Sequence, residues 1–75
     1  MRTLYVGGLP PAADDIVLRG MFEDFGSVTE ARIVRSLETG ASRGFGYVTF
    51  DSELSAHKAR KTLDGQDNLR VAMAS

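Results

Sequence analysis

The chain contains no cysteine and a single histidine in its 75 residues. Without cysteine there is no disulfide scaffold and no thiolate metal site. His57 alone cannot build a zinc site, so neither a metal nor a cofactor is expected. No apolar run nears the ~18 residues of a membrane span, and no charged stretch leading into an apolar one opens the chain. Neither secretion nor membrane insertion is therefore expected, which points to work inside the cell. A basic excess is missing too: 9 Lys and Arg face 10 Asp and Glu, a net charge of −1. A domain that grips nucleic acid mainly through phosphates carries surplus positive charge, so bulk electrostatics is not the main attraction here.

What is present describes a small soluble globule. Apolar residues make up 43% of the chain and charged ones 25%, a balance that supports a packed core rather than disorder. The length suits one domain over residues 1–75. A fold of this size buries only about 60% of its unfolded surface, so its core has little to spare.

The elements alternate in type. Thr3-Leu4-Tyr5-Val6 is β-branched and aromatic, closes on Gly7-Gly8, and is expected to be a strand. Pro10-Pro11 then forces an extended connection. Asp14 can cap a helix in which Leu18, Met21, Phe22 and Phe25 form one apolar stripe, with Gly26 as its stop. Residues 28–35 and 43–50 are expected to pair as a hairpin around a long, mobile connection, 36–42. Asp51 or Ser52 caps a second helix, in which Ala56, Ala59 and Leu63 share a face before Asp64-Gly65 ends it. Leu69, Val71 and Met73 alternate with polar and small residues in a last strand. The order is βαββαβ, a ferredoxin-like α+β sandwich: a four-stranded antiparallel sheet with two helices on one face.

Alternation along the strands decides what each face of that sheet does. Side chains point to opposite faces in turn, so Arg43, Phe45, Tyr47 and Thr49 share one side while Gly44, Gly46, Val48 and Phe50 share the other. Both helices need an apolar face to lie on, and Leu4, Val6, Ala31, Ile33, Val48, Phe50, Leu69, Val71 and Met73 supply it. Gly44 and Gly46 on that side are expected to admit a helix backbone closely. By elimination Tyr5, Phe45 and Tyr47 point away from the helices. No element remains to cover them. An uncovered sheet face is ordinarily polar, and an apolar patch there marks a binding surface.

The charges divide in the same way. Over residues 14–25 four acids oppose Arg19, a net −3, whereas the strands and hairpin loop carry five arginines against Glu30 and Glu38, a net +3. The near-zero total hides a basic sheet side and an acidic helical side. Flat rings with arginines beside them suit single-stranded nucleic acid: each stacked base contributes ~1–3 kcal/mol and guanidinium groups meet phosphates. Three rings would supply roughly 3–9 kcal/mol before ordering costs, enough for about micromolar binding of a few nucleotides. Arg43, Arg32 and Arg70 are the candidate cations. Duplex DNA does not fit, because its bases are stacked away and neither helix is basic.

These residues resemble the RNA recognition motif family. Arg43-Gly44-Phe45-Gly46-Tyr47-Val48-Thr49-Phe50 is similar to its octamer, [KR]-G-[FY]-[GA]-F-V-x-[FY], with Tyr at the fifth place. Leu4-Tyr5-Val6-Gly7-Gly8-Leu9 resembles its hexamer, with Gly8 where the family often has Asn. The resemblance implies that Tyr5 and Phe45 stack on bases, that Tyr47 packs against sugar, and that Arg43 meets phosphate. Two departures stand out. The chain between Gly65 and Leu69 is about four residues shorter than in many members, omitting a small hairpin. It also ends just after the last strand, where many members continue over the RNA.

The expectation is thus a non-catalytic, monomeric module for about two to four nucleotides of single-stranded RNA, with single-stranded DNA as a further ligand. The alternative is a protein-interaction module that uses the same patch or the acidic helical face. An acylphosphatase-like hydrolase shares the element order. Such an enzyme needs a cationic loop after the first strand, and Leu9-Pro10-Pro11-Ala12-Ala13 has no cation. No nucleophile set or paired carboxylates compensate, so no catalytic residue is expected.

Overall fold

A computed structural model describes residues 2–74. Strands β1 (Thr3–Gly7), β2 (Val28–Arg35), β3 (Ser42–Phe50) and β4 (Arg70–Met73) form one antiparallel sheet in the order β2-β3-β1-β4. Helices α1 (Asp15–Phe22) and α2 (Glu53–Leu63) cover one of its faces. Both helices begin at side-chain caps. Asp14 Oδ1 accepts from the Val17 N–H at 2.8 Å, and Ser52 Oγ from the Ser55 N–H at 3.2 Å. Each satisfies a donor that the helix itself leaves unpaired.

The core lies between the helices and one sheet face. Leu4, Val6, Ile33, Val48, Phe50, Leu69 and Val71 are buried beneath Leu18, Phe22, Ala56 and Ala59. Ala31 and Met73 are only half-buried at its margin, and Leu9, Ala13 and Val28 complete it. Val28 enters through an irregularity. Val28 pairs with Phe50 and Glu30 with the next residue back, Thr49, so Thr29 is the extra residue of a bulge. Its hydroxyl donates to the Thr49 carbonyl at 3.2 Å. The bulge lets Val28 and Ala31, three apart, both face the core.

The apolar stripe of α1 runs to Phe25 as expected, but its last turn, Glu23–Phe25, tightens to a 3-10 helix. Gly26 follows at φ 150°, and a Cβ there would run into the Ser55 hydroxyl of α2. This glycine admits a neighbouring helix; it does not act as a left-handed cap. The glycines of β3 require a correction in the opposite sense. A Cβ on Gly46 would strike the Arg32 carbonyl oxygen, and Gly44 sits at φ +84° with the Leu9 carbonyl nearest. Strand β2, not a helix, is what approaches Gly46, while at Gly44 it is the left-handed backbone and no close neighbour that favours glycine.

The β2–β3 connection is tied by its own hydrogen bonds. Ser36 donates its N–H to Ala41 O at 2.9 Å and accepts from Gly40 N–H at 2.8 Å, while Arg35 Nη1 reaches Gly40 O at 3.3 Å. The short segment before β4 folds as a turn over Gln66–Asn68, with Asp67 and Asn68 both left-handed at φ 49° and 67°. Asp and Asn tolerate this conformation better than other non-glycine residues. The turn brings the Asn68 carbonyl against Gly8, where a Cβ would collide with it.

Candidate nucleic-acid interface

The sheet face opposite the helices is ordered in rows, because pairing register sets which side chains stand abreast. In the first row Arg70 of β4, Gly7 of β1 and Phe45 of β3 are neighbours. In the second, Ala72, Tyr5, Tyr47 and Arg32 cross all four strands. In the third, Thr3, Thr49 and Glu30 stand abreast. The sheet thus carries two rows of rings edged by arginine and one row of hydroxyls and carboxylate.

The three rings touch one another. Tyr5 and Phe45 lie with centroids 5.7 Å apart and planes inclined by 36°. Tyr47 meets Tyr5 at 6.1 Å and Phe45 at 6.4 Å, edge to face in both cases. Such separations fall in the favourable range for aromatic pairs, so the rings hold each other upright without a covering element. Tyr47 is the most exposed, at 40%. The Arg43 guanidinium lies 5.8 Å from the Phe45 centroid, over its ring, in a cation–π arrangement.

Tyr5 has a seat that the sequence alone did not reveal. Its ring leans along β1 over Gly7, and a Cβ on Gly7 would come within 2.6 Å of the Tyr5 hydroxyl oxygen. A side chain at residue 7 would lift the ring off the sheet. Beyond the rings, the Thr3 and Thr49 hydroxyls are 3.0 Å apart and hydrogen-bonded. Alternation does place Thr3, Thr49 and Glu30 on this face, and that was the available signal. Their row was legible only once register was known.

All six candidate residues, Tyr5, Arg32, Arg43, Phe45, Tyr47 and Arg70, lie on this one face. Arg32 does not stand alone. Its Nη2 contacts Glu30 Oε2 at 3.2 Å, so Glu30 is the partner of Arg32. Among the described residues the surface has no enclosed cavity and no cluster of metal-ligating side chains. The face is an open platform.

The sequence matches the RNA recognition motif family over residues 4–70. The chain belongs to that family. It is 46% identical over 76 residues to the mitochondrial glycine-rich RNA-binding protein 4 of Arabidopsis thaliana, covering 96% of this chain and 56% of that protein. Against the glycine-rich RNA-binding protein GRP1A of Sinapis alba the identity is 46%, over 84% of this chain and 38% of the relative. The RNA recognition motif thus spans roughly half or less of these relatives' length.

Among solved structures, the second such domain of the yeast poly(U)-binding protein superposes with a TM-score of 0.89 at 38% identity, covering 100% of this chain and 95% of that one. A complex of the Sex-lethal protein with RNA gives 0.91 at 33% identity, covering 99% and 47%. No helix among the described residues is long and apolar enough to cross a membrane.

Proposed function

We propose that this RNA recognition motif is a non-catalytic, monomeric, intracellular module that takes about two to four nucleotides of single-stranded RNA across its open sheet face. One observation carries the reading: Tyr5, Phe45 and Tyr47 form a mutually contacting cluster on the face that neither helix covers. Stacked bases contribute ~1–3 kcal/mol each on such rings. We assign the two stacking platforms to Tyr5 and Tyr47. Tyr47 has the larger free surface, whereas Arg43 occupies one side of Phe45. This exchanges the roles that resemblance alone implied for Phe45 and Tyr47, leaving Phe45 for sugar. Arg43 and Arg70, at the same end of the sheet, are left to meet phosphate. Stacking hardly senses the 2′-hydroxyl, so single-stranded DNA is a weaker or equal second ligand.

Titration with short single-stranded RNAs, followed by amide chemical shifts, tests this. Shifts are expected at Tyr5, Phe45, Tyr47 and their strand neighbours. A second reading, docking of a protein on the helical side, draws on Ile16, exposed at 80% in the acidic segment 14–25, and on Leu54 of α2, exposed at 73%. Shifts confined to the helices, or none with RNA, would favour it.

A further inference from the structure

Tyr47 has an asymmetric surround. On its β1 side stands another ring, Tyr5, but on its β2 side stand the groups of an ion pair. Arg32 is directly opposite Tyr47 in register, and Glu30 lies diagonally beyond it, opposite Thr49. The pair closes through one nitrogen and one oxygen, Arg32 Nη2 to Glu30 Oε2, and the side chains remain 70% and 60% exposed. Most of the guanidinium donors and the second carboxylate oxygen therefore face water above the sheet. A donor set and an acceptor set stand side by side at the margin of a stacking ring.

A surface ion pair in this setting contributes little to stability, on the order of 0–1 kcal/mol. Its charge is also poorly suited to a purely electrostatic role, because Glu30 repels the same phosphates that Arg32 attracts. Its chemistry is better suited to the edge of a base. A carboxylate accepts two parallel N–H bonds, and a guanidinium donates to a carbonyl oxygen beside them. Guanine presents that complement on one edge: O6 as acceptor, followed by the N1 and N2 donors. Adenine and cytosine each offer a single amino donor beside an acceptor. Uracil sets a carbonyl against the carboxylate.

We propose that Glu30 and Arg32 together recognise the edge of the base stacked on Tyr47 and favour guanine there. The inference rests on the RNA-binding reading above and adds a base preference to it. Five-nucleotide RNAs that are uridine throughout, or carry one central guanosine, adenosine or cytidine, provide the probe, since a single purine can settle on Tyr47. The guanosine oligonucleotide is expected to bind roughly tenfold or more tighter than the all-uridine one. Glu30→Gln, a near-isosteric change at an exposed position, should bring that ratio to within about twofold of one, with any gain from the removed charge falling on all four RNAs alike. If Glu30→Gln instead raises all four affinities together and leaves the ratio between them unchanged, Glu30 is only a counter-charge to Arg32 and the proposal falls. Equal wild-type affinities for the four RNAs overturn it while leaving RNA binding intact. Failure to bind any of them overturns both readings.

Discussion

Tyr47 and Val48 are consecutive in β3, yet one stands in solvent among rings and the other is fully buried under the helices. Truncating each to alanine should therefore separate binding from stability. Tyr47→Ala is expected to weaken RNA binding by ~1–3 kcal/mol with little change in thermal midpoint, because few contacts within the fold are lost. Val48→Ala should cost about 2 kcal/mol of stability in chemical denaturation, through lost burial and the cavity left behind. Gly46 gives a third contrast. Any side chain there meets the backbone of β2, so Gly46→Ala should destabilise the fold by roughly 1–3 kcal/mol although only one methyl group is added. Denaturant midpoints for the three variants check the set.

The outer strands β2 and β4 expose unpaired backbone groups, which invite pairing with another chain. The helices answer this with side chains. Asp15, in the first turn of α1, accepts from the Ile33 N–H of β2 at 2.7 Å. Arg19, one turn on, donates to the Val28 carbonyl at 2.6 Å. At the other edge Asp64, which ends α2, accepts from the Val71 N–H of β4 at 3.0 Å. From the sequence, Asp15 is a favourable charge at a helix start and Asp64 a stop signal. In the structure both also occupy backbone donors of the outer strands. Asp15→Ala is expected to cost about 1–3 kcal/mol, since a part-buried N–H loses a charged acceptor. Hydrogen exchange at Ile33 should quicken accordingly, and the variant should aggregate more readily at high concentration.

The whole chain has a net charge of −1, and of its 9 Lys and Arg only Arg32, Arg43 and Arg70 are placed on the face where RNA is proposed to lie. With Arg43 and Arg70 as the proposed phosphate contacts, the slope of log affinity against log salt should not exceed about 1.5 in magnitude, at ~0.7 per contact on a single strand. Titrations between low and moderate salt measure it. A much steeper slope would mean that other cations join in. At the same scale, the turn before β4 and Gly8 are coupled. The turn over Gln66–Asn68 presses the Asn68 carbonyl against residue 8, and only glycine leaves room for it. Two positions far apart in sequence thus constrain one another in space.

The local sequence alone determined the order of elements, the Asp14 cap, and which side chains share a face in β1, β3 and β4, while it left the second cap open between Asp51 and Ser52, which the structure gives to Ser52. Those properties depend on residues two, three or four apart, and each was legible in the runs around Leu18, Phe45 and Leu69. Only the folded sheet decided which faces' residues stand abreast: Glu30 beside Arg32 and Tyr47, Gly7 under Tyr5, Thr3 against Thr49. Register depends on the bulge at Thr29 and on how both hairpin partners close around β1. It is therefore a property of several strands at once, and no single stretch of chain encodes it.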